Sequence, residues 1–122
     1  MTSNPKDEGR FTGTWSVIES PDFDEQYLQM ETAPYVTPRQ SGDRVSGEYH
    51  IGLQTGDLDG RVQTANQIAF SFEGMDEMDE VNGRGTAKLE GERLTFTLHY
   101  HMGDTFTFYG ERRNRAATYR VR

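Results

Sequence analysis

The chain has 122 residues, enough for one domain, and carries a formal net charge of −7 with 33% hydrophobic residues and no cysteine. Disulfide and thiolate chemistry are therefore excluded. Five of the 13 basic residues are arginines between positions 112 and 122, so the first 111 residues hold eight bases against all 20 acids. A body this acidic repels phosphate backbones, and no stretch is apolar and long enough to span a membrane as a helix. Neither nucleic acid nor a membrane is expected as a partner.

The two ends of the chain differ in composition from the part between them. We expect residues 1–10 to form a flexible polar leader, residues 11–113 a single β domain, and residues 114–122 an arginine-rich tail. The leader lacks the apolar segment of a signal peptide, so a cytoplasmic, bacterial-type protein is the default. The arginine-rich end is interpreted as a solvated terminus, with docking onto an acidic neighbour as the alternative.

Short runs of alternating polarity, separated by Gly, Asp and Asn, predict β-strands from residue 11 onward. Residues 11–18 form the first strand, and residues 21–26 form a loop or a single helical turn. Residues 27–40 are extended, but Pro34 and Pro38 make them an edge strand or split them in two. Further strands are predicted within 44–53, 57–63, 67–73, 81–89, 94–101 and 106–108, with a tight primed turn at Gly103-Asp104.

Glycines inside the predicted strands favour a closed structure. Gly60, Gly83 and Gly85 weaken a strand unless the backbone bends or another group approaches closely, and barrel closure requires both. We therefore predict an all-β fold: a small antiparallel up-and-down β-barrel of 8–9 strands. A curled open sheet and a two-sheet sandwich remain the alternatives.

The alternation divides the strands into an apolar, aromatic face and a polar face. The candidate ligand-binding residues on the polar face are Asp59, Arg61, Glu73, Arg84, His99 and His101. If this face is solvated, its residues form weak cross-strand charge pairs. If part of it lines a cavity, they form a pocket for a polar or charged small molecule. Trp15, Tyr49 and Tyr100 are candidates for aromatic contact with a ligand.

His99 and His101 lie two residues apart on one strand, so both rings face the same side. This geometry makes them weak candidates for metal ligands, but no metal or cofactor is expected. His101 paired with Glu73 or Asp104 is a conceivable acid–base dyad.

The connection after residue 73 is crowded with carboxylates. Its candidate residues, which we expect at the mouth of the barrel, are Asp76, Glu77, Met78 and Asp79. The spacing fits no calcium-binding loop. One helical turn would pack Met75 and Met78 against the barrel mouth and leave the acids outward.

The segment Gly13-Thr-Trp15 resembles the opening of lipocalin- and avidin-type barrels, the calycin layout. The chain from residue 11 to 113 is also similar to a family of small uncharacterised bacterial β proteins, through Gly13-x-Trp15, Gly56-x-x-Asp59-x-Arg61, Phe70-Ser-Phe-Glu-Gly-x-Asp-Glu-Met-Asp79, Gly83-Arg-Gly85 and His101-x-Gly-Asp104. This resemblance implies a calycin-like barrel and no particular reaction. Glu80, Thr86 and Thr105 depart from the pattern, and His99 lies outside it.

Three functions remain open at this point. The favoured one is non-catalytic binding of a small polar or cationic molecule in the barrel. The second is a homodimeric interaction module, in which one subunit's arginine-rich tail docks on the acidic loop of the other. The third is a hydrolase or isomerase that uses His101 with a carboxylate, although the chain is more readily interpreted as a non-enzyme.

The placement of Glu73 and Arg84 distinguishes between the two interpretations of the polar face. They flank the acidic loop on adjacent strands, so we expect them to be near neighbours across the hairpin. We favour an interior location, in which Arg84→Ala would cost roughly 3–5 kcal/mol by stranding a buried carboxylate.

Overall fold

The structure, a computed structural model, describes residues 10–113 as eight strands and one short helix. In chain order these are β1 (Trp15–Glu19), α1 (Glu25–Leu28), β2 (Tyr35–Ser41), β3 (Arg44–Ile51), β4 (Gln54–Thr64), β5 (Gln67–Asp76), β6 (Asp79–Glu90), β7 (Arg93–Tyr100) and β8 (Thr105–Arg112). Each strand pairs antiparallel with the next, and β8 pairs with β1 to close the barrel. The predicted up-and-down barrel is confirmed, and the open sheet and the sandwich are excluded.

The apolar face of the strands is the barrel interior. Its largest fully buried side chains include Trp15, Tyr49, Phe96, Ile68 and Leu94. These inward positions alternate with the polar ones, so the polar face must point outward. Asp59, Arg61, Glu73, Arg84, His99 and His101 are accordingly all exposed. The interior location favoured for Glu73 and Arg84 is therefore wrong, because aromatic and aliphatic side chains already occupy the inside.

Glycine is required on both strands that flank Phe70, because neighbouring atoms leave no room for a side chain there. Gly60 and Gly85 lie on either side of Phe70 in the strand register. A Cβ atom on Gly60 would lie 2.0 Å from the carbonyl oxygen of Ala69, and one on Gly85 would lie 2.6 Å from the Phe70 ring. The close approach predicted from these strand glycines is confirmed.

Trp15 and Arg112 close one end of the barrel, called the base here. The indole Nε1 of Trp15 donates to the carbonyl of Phe11 at 2.9 Å. The Arg112 guanidinium lies 4.3 Å from the centre of the Trp15 ring and donates to the carbonyls of Thr12 and Arg10 at 2.7 and 2.8 Å. Arg112 is thus part of the folded domain and not of a solvated terminus. The proposed leader up to residue 9 and the tail from 114 lie outside the described residues.

The contact between β1 and β2 is the weakest seam in the barrel wall. β1 pairs in register with β2 only at Trp15 and Ser16, and two flanking backbone bonds run from Gly13 to the carbonyl of Pro38 at 3.2 Å and from Val17 to the carbonyl of Pro34 at 3.0 Å. Pro38 lies within β2 and has no backbone N–H, so it cannot donate a hydrogen bond to β1. The edge-strand alternative is wrong, because closure leaves no edge. The segment 27–40 is instead divided in two, with Tyr27 and Leu28 in α1 and its second part in β2.

Two turns differ from their predicted form. The acidic connection is a tight hairpin turn at Glu77-Met78 and contains no helical turn, with Glu77 at φ 59°. Met78 is consequently 91% exposed, so the predicted packing of both methionines against the barrel is wrong. Between β7 and β8, the left-handed residue is Met102 (φ 56°) and not Gly103. Within residues 10–113, no helix has the length and apolar character needed to cross a membrane.

Candidate ligand-binding site at the barrel mouth

Four connections meet at the end of the barrel opposite the base, because successive strands run in opposite directions. They join β1 to β2, β3 to β4, β5 to β6 and β7 to β8. Together with the strand ends they surround a cavity of about 550 Å³, called the mouth cavity here. It is lined by Phe23, Tyr27, Tyr49, Ile51, Leu53, Gln54, Asp76, Glu77, Val81, Leu98, Tyr100, Gly103, Asp104, Phe106 and Phe108. Its size falls within the range of small-molecule sites in proteins.

The short helix α1 forms one wall of the mouth cavity. The side chain of Asp24 caps this helix by accepting from the backbone N–H of Tyr27 at 2.9 Å. Phe23 stacks on the Tyr27 ring with centroids 4.7 Å apart and meets Phe106 edge-on at 4.8 Å. Gly52 donates to the carbonyl of Leu28 at 3.1 Å and so joins the helix to the β3–β4 turn. The cavity therefore has an aromatic wall that is tied to the barrel at several points.

A buried amide links two tyrosine hydroxyls at the floor of the cavity. Gln54 is only 5% exposed; its Nε2 donates to the hydroxyl of Tyr49, and its Oε1 accepts from the hydroxyl of Tyr100. An amide nitrogen carries two hydrogens, and the Tyr49 hydroxyl keeps its own. Neither of these remaining hydrogens has an acceptor among residues 10–113. Two buried donors are thus available to a polar group in the cavity.

The tyrosines of the cavity remain protonated at ordinary pH. Burial raises the pKa of Tyr100 to about 12 and that of Tyr49 further, although the hydrogen bonds to Gln54 act in the opposite direction. Burial also raises the pKa of Tyr27. The negative charge of Asp76 adds to the rise for all three hydroxyls. These groups consequently act as neutral hydrogen-bond donors and as aromatic faces, and not as phenolates.

Carboxylates provide the charge at the rim of the cavity. Asp76, Glu77 and Asp104 belong to its lining, and the lining contributed by the described residues contains no lysine, arginine or histidine. Aromatic faces attract cations through their ring quadrupole, and nearby carboxylates add Coulombic attraction. The cavity therefore combines the two features that favour a positively charged ligand.

The structure brings together only part of the predicted set. Tyr49, Tyr100, Asp76 and Glu77 line the mouth cavity, whereas Met78 and Asp79 do not. Sequence reasoning missed Phe23, Tyr27, Gln54 and Phe106. Gln54 could have been found, because it has the inward parity of Leu58 on β4, and a polar residue at an inward position is unusual.

The other predicted ligand residues lie elsewhere on the molecule. Trp15 is at the base, beneath Arg112. The polar-face residues lie on the outer wall, where Arg84 is paired in register with Ser71 and Glu73 with Asn82. Glu73 and Arg84 are therefore diagonal neighbours, and no ion pair joins them within the described part of the chain.

The two outer histidines make no direct contact with a carboxylate among residues 10–113. The His99 ring Nδ1 lies 2.9 Å from the Thr105 hydroxyl, and the His101 ring has no hydrogen bond or ion pair with a carboxylate of residues 10–113. The same residues contain no group of three or more His, Cys, Asp or Glu side chains that could hold a metal ion.

Comparison with known proteins identifies the layout of the barrel. No protein-family model and no curated protein matches the chain. Among solved structures, it is similar to the redesigned β-barrel mFAP1 bound to DFHBI, at 14% identity and a TM-score of 0.59, over 88% of this chain and 99% of that one. It also matches human cRBP IV, at 18% identity and a TM-score of 0.49, over 84% and 97% of the two chains. The predicted calycin-type layout is confirmed at the level of the fold.

Proposed function

We propose that the protein binds a small, polar, positively charged molecule in the mouth cavity and performs no chemistry on it. The observation that carries this proposal is the pairing of an aromatic wall with three carboxylates and no basic residue in the described lining. An ammonium group would lie between the rings and the carboxylates, where a largely desolvated cation–π contact contributes about 2 kcal/mol. The mFAP1 barrel, whose fold is similar to that of this chain, is bound to DFHBI.

The buried Gln54 network supports a polar group elsewhere on the same ligand. Its free hydrogens, on the Gln54 amide and the Tyr49 hydroxyl, have no hydrogen-bond acceptor among residues 10–113. Buried donors without partners are costly, so an oxygen atom of a ligand, or a water molecule that it replaces, would satisfy them. The expected ligand thus has a cationic end toward the rim and a hydrogen-bond acceptor toward the floor.

Titration calorimetry with choline and its uncharged isostere 3,3-dimethyl-1-butanol tests this proposal. The two compounds share size and shape, so a difference in affinity reports the positive charge. We expect choline to bind at least about tenfold more tightly, which corresponds to roughly 1.4 kcal/mol. Choline should also raise the melting temperature, since a ligand that binds only the folded state stabilises it.

Variants locate the binding within the cavity. Asp76→Asn removes one rim charge and should weaken choline binding several-fold, while leaving the affinity for the isostere almost unchanged. Glu92→Gln, in the exposed turn between β6 and β7 at the base, is the matched control for net charge. Equal binding of both compounds, or equal losses in both variants, would contradict a cation site at the mouth.

A further inference from the structure

A groove runs along the outer side of β5, on a different surface from the mouth cavity. Its floor is low because the outward side chains in the middle of β5 are small, namely Ala69 and Ser71. Longer side chains of the neighbouring strands form its walls: Arg61 from β4, Arg84 from β6 and, beyond β4, Arg44 from β3. The groove encloses about 570 Å³ and is open to solvent.

The three arginines come together in a way that the stability of the barrel does not require. Arg44 and Arg61 lie directly opposite each other in the β3–β4 register, where two like charges repel. A strand pair under no other constraint would be more stable with opposite charges at this position. The lining contains one carboxylate, Asp59, against three guanidinium groups.

None of these guanidinium groups is fully engaged. Arg44 lies 3.6 Å from Asp59, and Arg61 lies 3.3 Å from Asp43. Arg84 has no ion pair or side-chain hydrogen bond with any residue from 10 to 113. A satisfied arginine on the same barrel surface looks different: Arg39 contacts Glu48 through two hydrogen bonds of 2.7 and 2.8 Å. Within residues 10–113, Arg84 therefore keeps all of its guanidinium donors for a ligand, and Arg44 and Arg61 keep part of theirs.

We propose that this groove is a second binding site, for a small molecule that carries an oxyanion, either a phosphate or a carboxylate group. Guanidinium groups bind such anions through paired, charge-assisted hydrogen bonds. Arg61 and Arg84 lie on the two strands that flank β5, in register with Ala69 and Ser71 respectively, so they stand diagonally across its floor. The Ser71 hydroxyl donates to the carbonyl of Asp59 at 3.3 Å, so the donors available to an anion are those of the arginines. The oxyanion lies between these two arginines, and Arg44 adds positive charge from the end of the groove.

The charge of the whole molecule favours a small anion over a polyanion. Exposed charges are screened beyond about 8–10 Å at physiological ionic strength, so the three nearby arginines dominate the field inside the groove. A nucleic acid would extend past the groove onto the acidic neighbouring surface, which includes Asp57 and Glu73. The net charge of −7 thus opposes a long phosphate backbone and leaves a compact oxyanion free to bind.

Amide NMR titrations at low salt with inorganic phosphate and, separately, with citrate test the site. We expect saturable shifts for residues 69–71 and 84, and the stronger response identifies the phosphate or the carboxylate as the preferred group. Arg84→Gln should weaken binding by about tenfold, as expected for the loss of a hydrogen bond to a charged group. Arg39→Gln, which makes the same change in net charge on the same outer surface, should alter binding less than about twofold.

Each contrary result is informative. If neither anion gives saturable shifts, or if the two variants weaken binding equally, the groove is not an anion site. Shifts confined to the mouth residues would also overturn the proposal. Self-association at low salt that Arg84→Gln abolishes would assign the groove to a second copy of the chain and not to a small anion. Because the choline titration reads a different surface, either proposal can fail without the other.

Discussion

At the scale of single residues, position on the inner or outer wall decides what a charged side chain contributes. Arg84 was a candidate for the interior, where removal of one charged partner is costly. On the outer wall its guanidinium is exposed and has no carboxylate partner among the described residues. Water solvates such a group equally well in the folded and unfolded chains, so its contribution to stability is small.

We therefore expect Arg84→Ala to change the free energy of unfolding by less than about 1 kcal/mol. Urea denaturation monitored by the fluorescence of Trp15 measures this change. Gly60→Ala provides the contrast, because its Cβ atom would clash with the backbone of Ala69 and should cost at least about 1–3 kcal/mol. A large loss in Arg84→Ala would require a contact that the described structure lacks.

The tyrosines of the mouth make stability depend on alkaline pH. Burial raises the pKa of Tyr100 from 10.0 to about 12, so the unfolded chain loses this proton first as the pH rises. The corresponding stability is fully present below about pH 10 and is lost between pH 10 and about 12. Burial raises the pKa of Tyr49 in the same direction and extends the effect.

Urea titrations between pH 8 and about 11.5 should show this decline in the free energy of unfolding. Tyr100→Phe removes the titrating hydroxyl while keeping the ring, so its decline should be shallower than that of the unmodified protein. Tyr109→Phe, which removes a hydroxyl outside the cavity lining, is the control. Parallel declines in all three proteins would show that Tyr100 is not responsible.

At the scale of elements, the barrel wall is not equally strong around its circumference. β4, β5 and β6 pair along nearly their whole length, whereas β1 pairs with β2 at two residues only. The segment between β1 and β2 contains α1, which forms one wall of the mouth cavity. The weakest seam in the wall is thus continuous with the wall of the candidate binding site. Local opening there breaks few hydrogen bonds and leaves the main sheet intact.

Hydrogen exchange tests this difference in local stability. We expect the backbone amides of β1 and α1 to exchange at least about tenfold faster than those of Ile68 to Phe72 in β5, because fewer hydrogen bonds must break for them to open. Two-dimensional NMR of the protein transferred into D₂O gives both rates. Uniform protection around the barrel would mean that β1 opens only with the whole domain.

The fold was more predictable from sequence than the site was. Period-two alternation, glycines in strands and short turns all indicate a barrel, because they describe local geometry and the need to bury one face. Parity also identifies the inner face of the barrel, since the aromatic residues share one face of the strands. The preference for a polar interior, which came from the resemblance, was wrong. Phe23 and Tyr27 could not be assigned to the cavity from the sequence, because only the tertiary folding of the β1–β2 connection brings them to the barrel mouth.

At the scale of the whole molecule, the two proposed sites separate opposite charges. The mouth cavity is rimmed by Asp76, Glu77 and Asp104 at one end of the barrel, and the arginine groove lies on the outer side of β5. The net charge of −7 therefore does not show that one surface of the barrel is acidic and another is basic. The alternative of a tail-docked homodimer depends on residues after 113 and stays a prediction.

The even number of strands has a practical consequence for attaching the protein to a surface. The chain enters β1 and leaves β8 next to the contact between Trp15 and Arg112, so Arg10 and Arg113 both lie at the base. Anything fused or tethered at either of these points would be attached on the side away from the entrance to the cavity. A molecule immobilised on a sensor surface through either of these two residues would thus present its mouth to the solution.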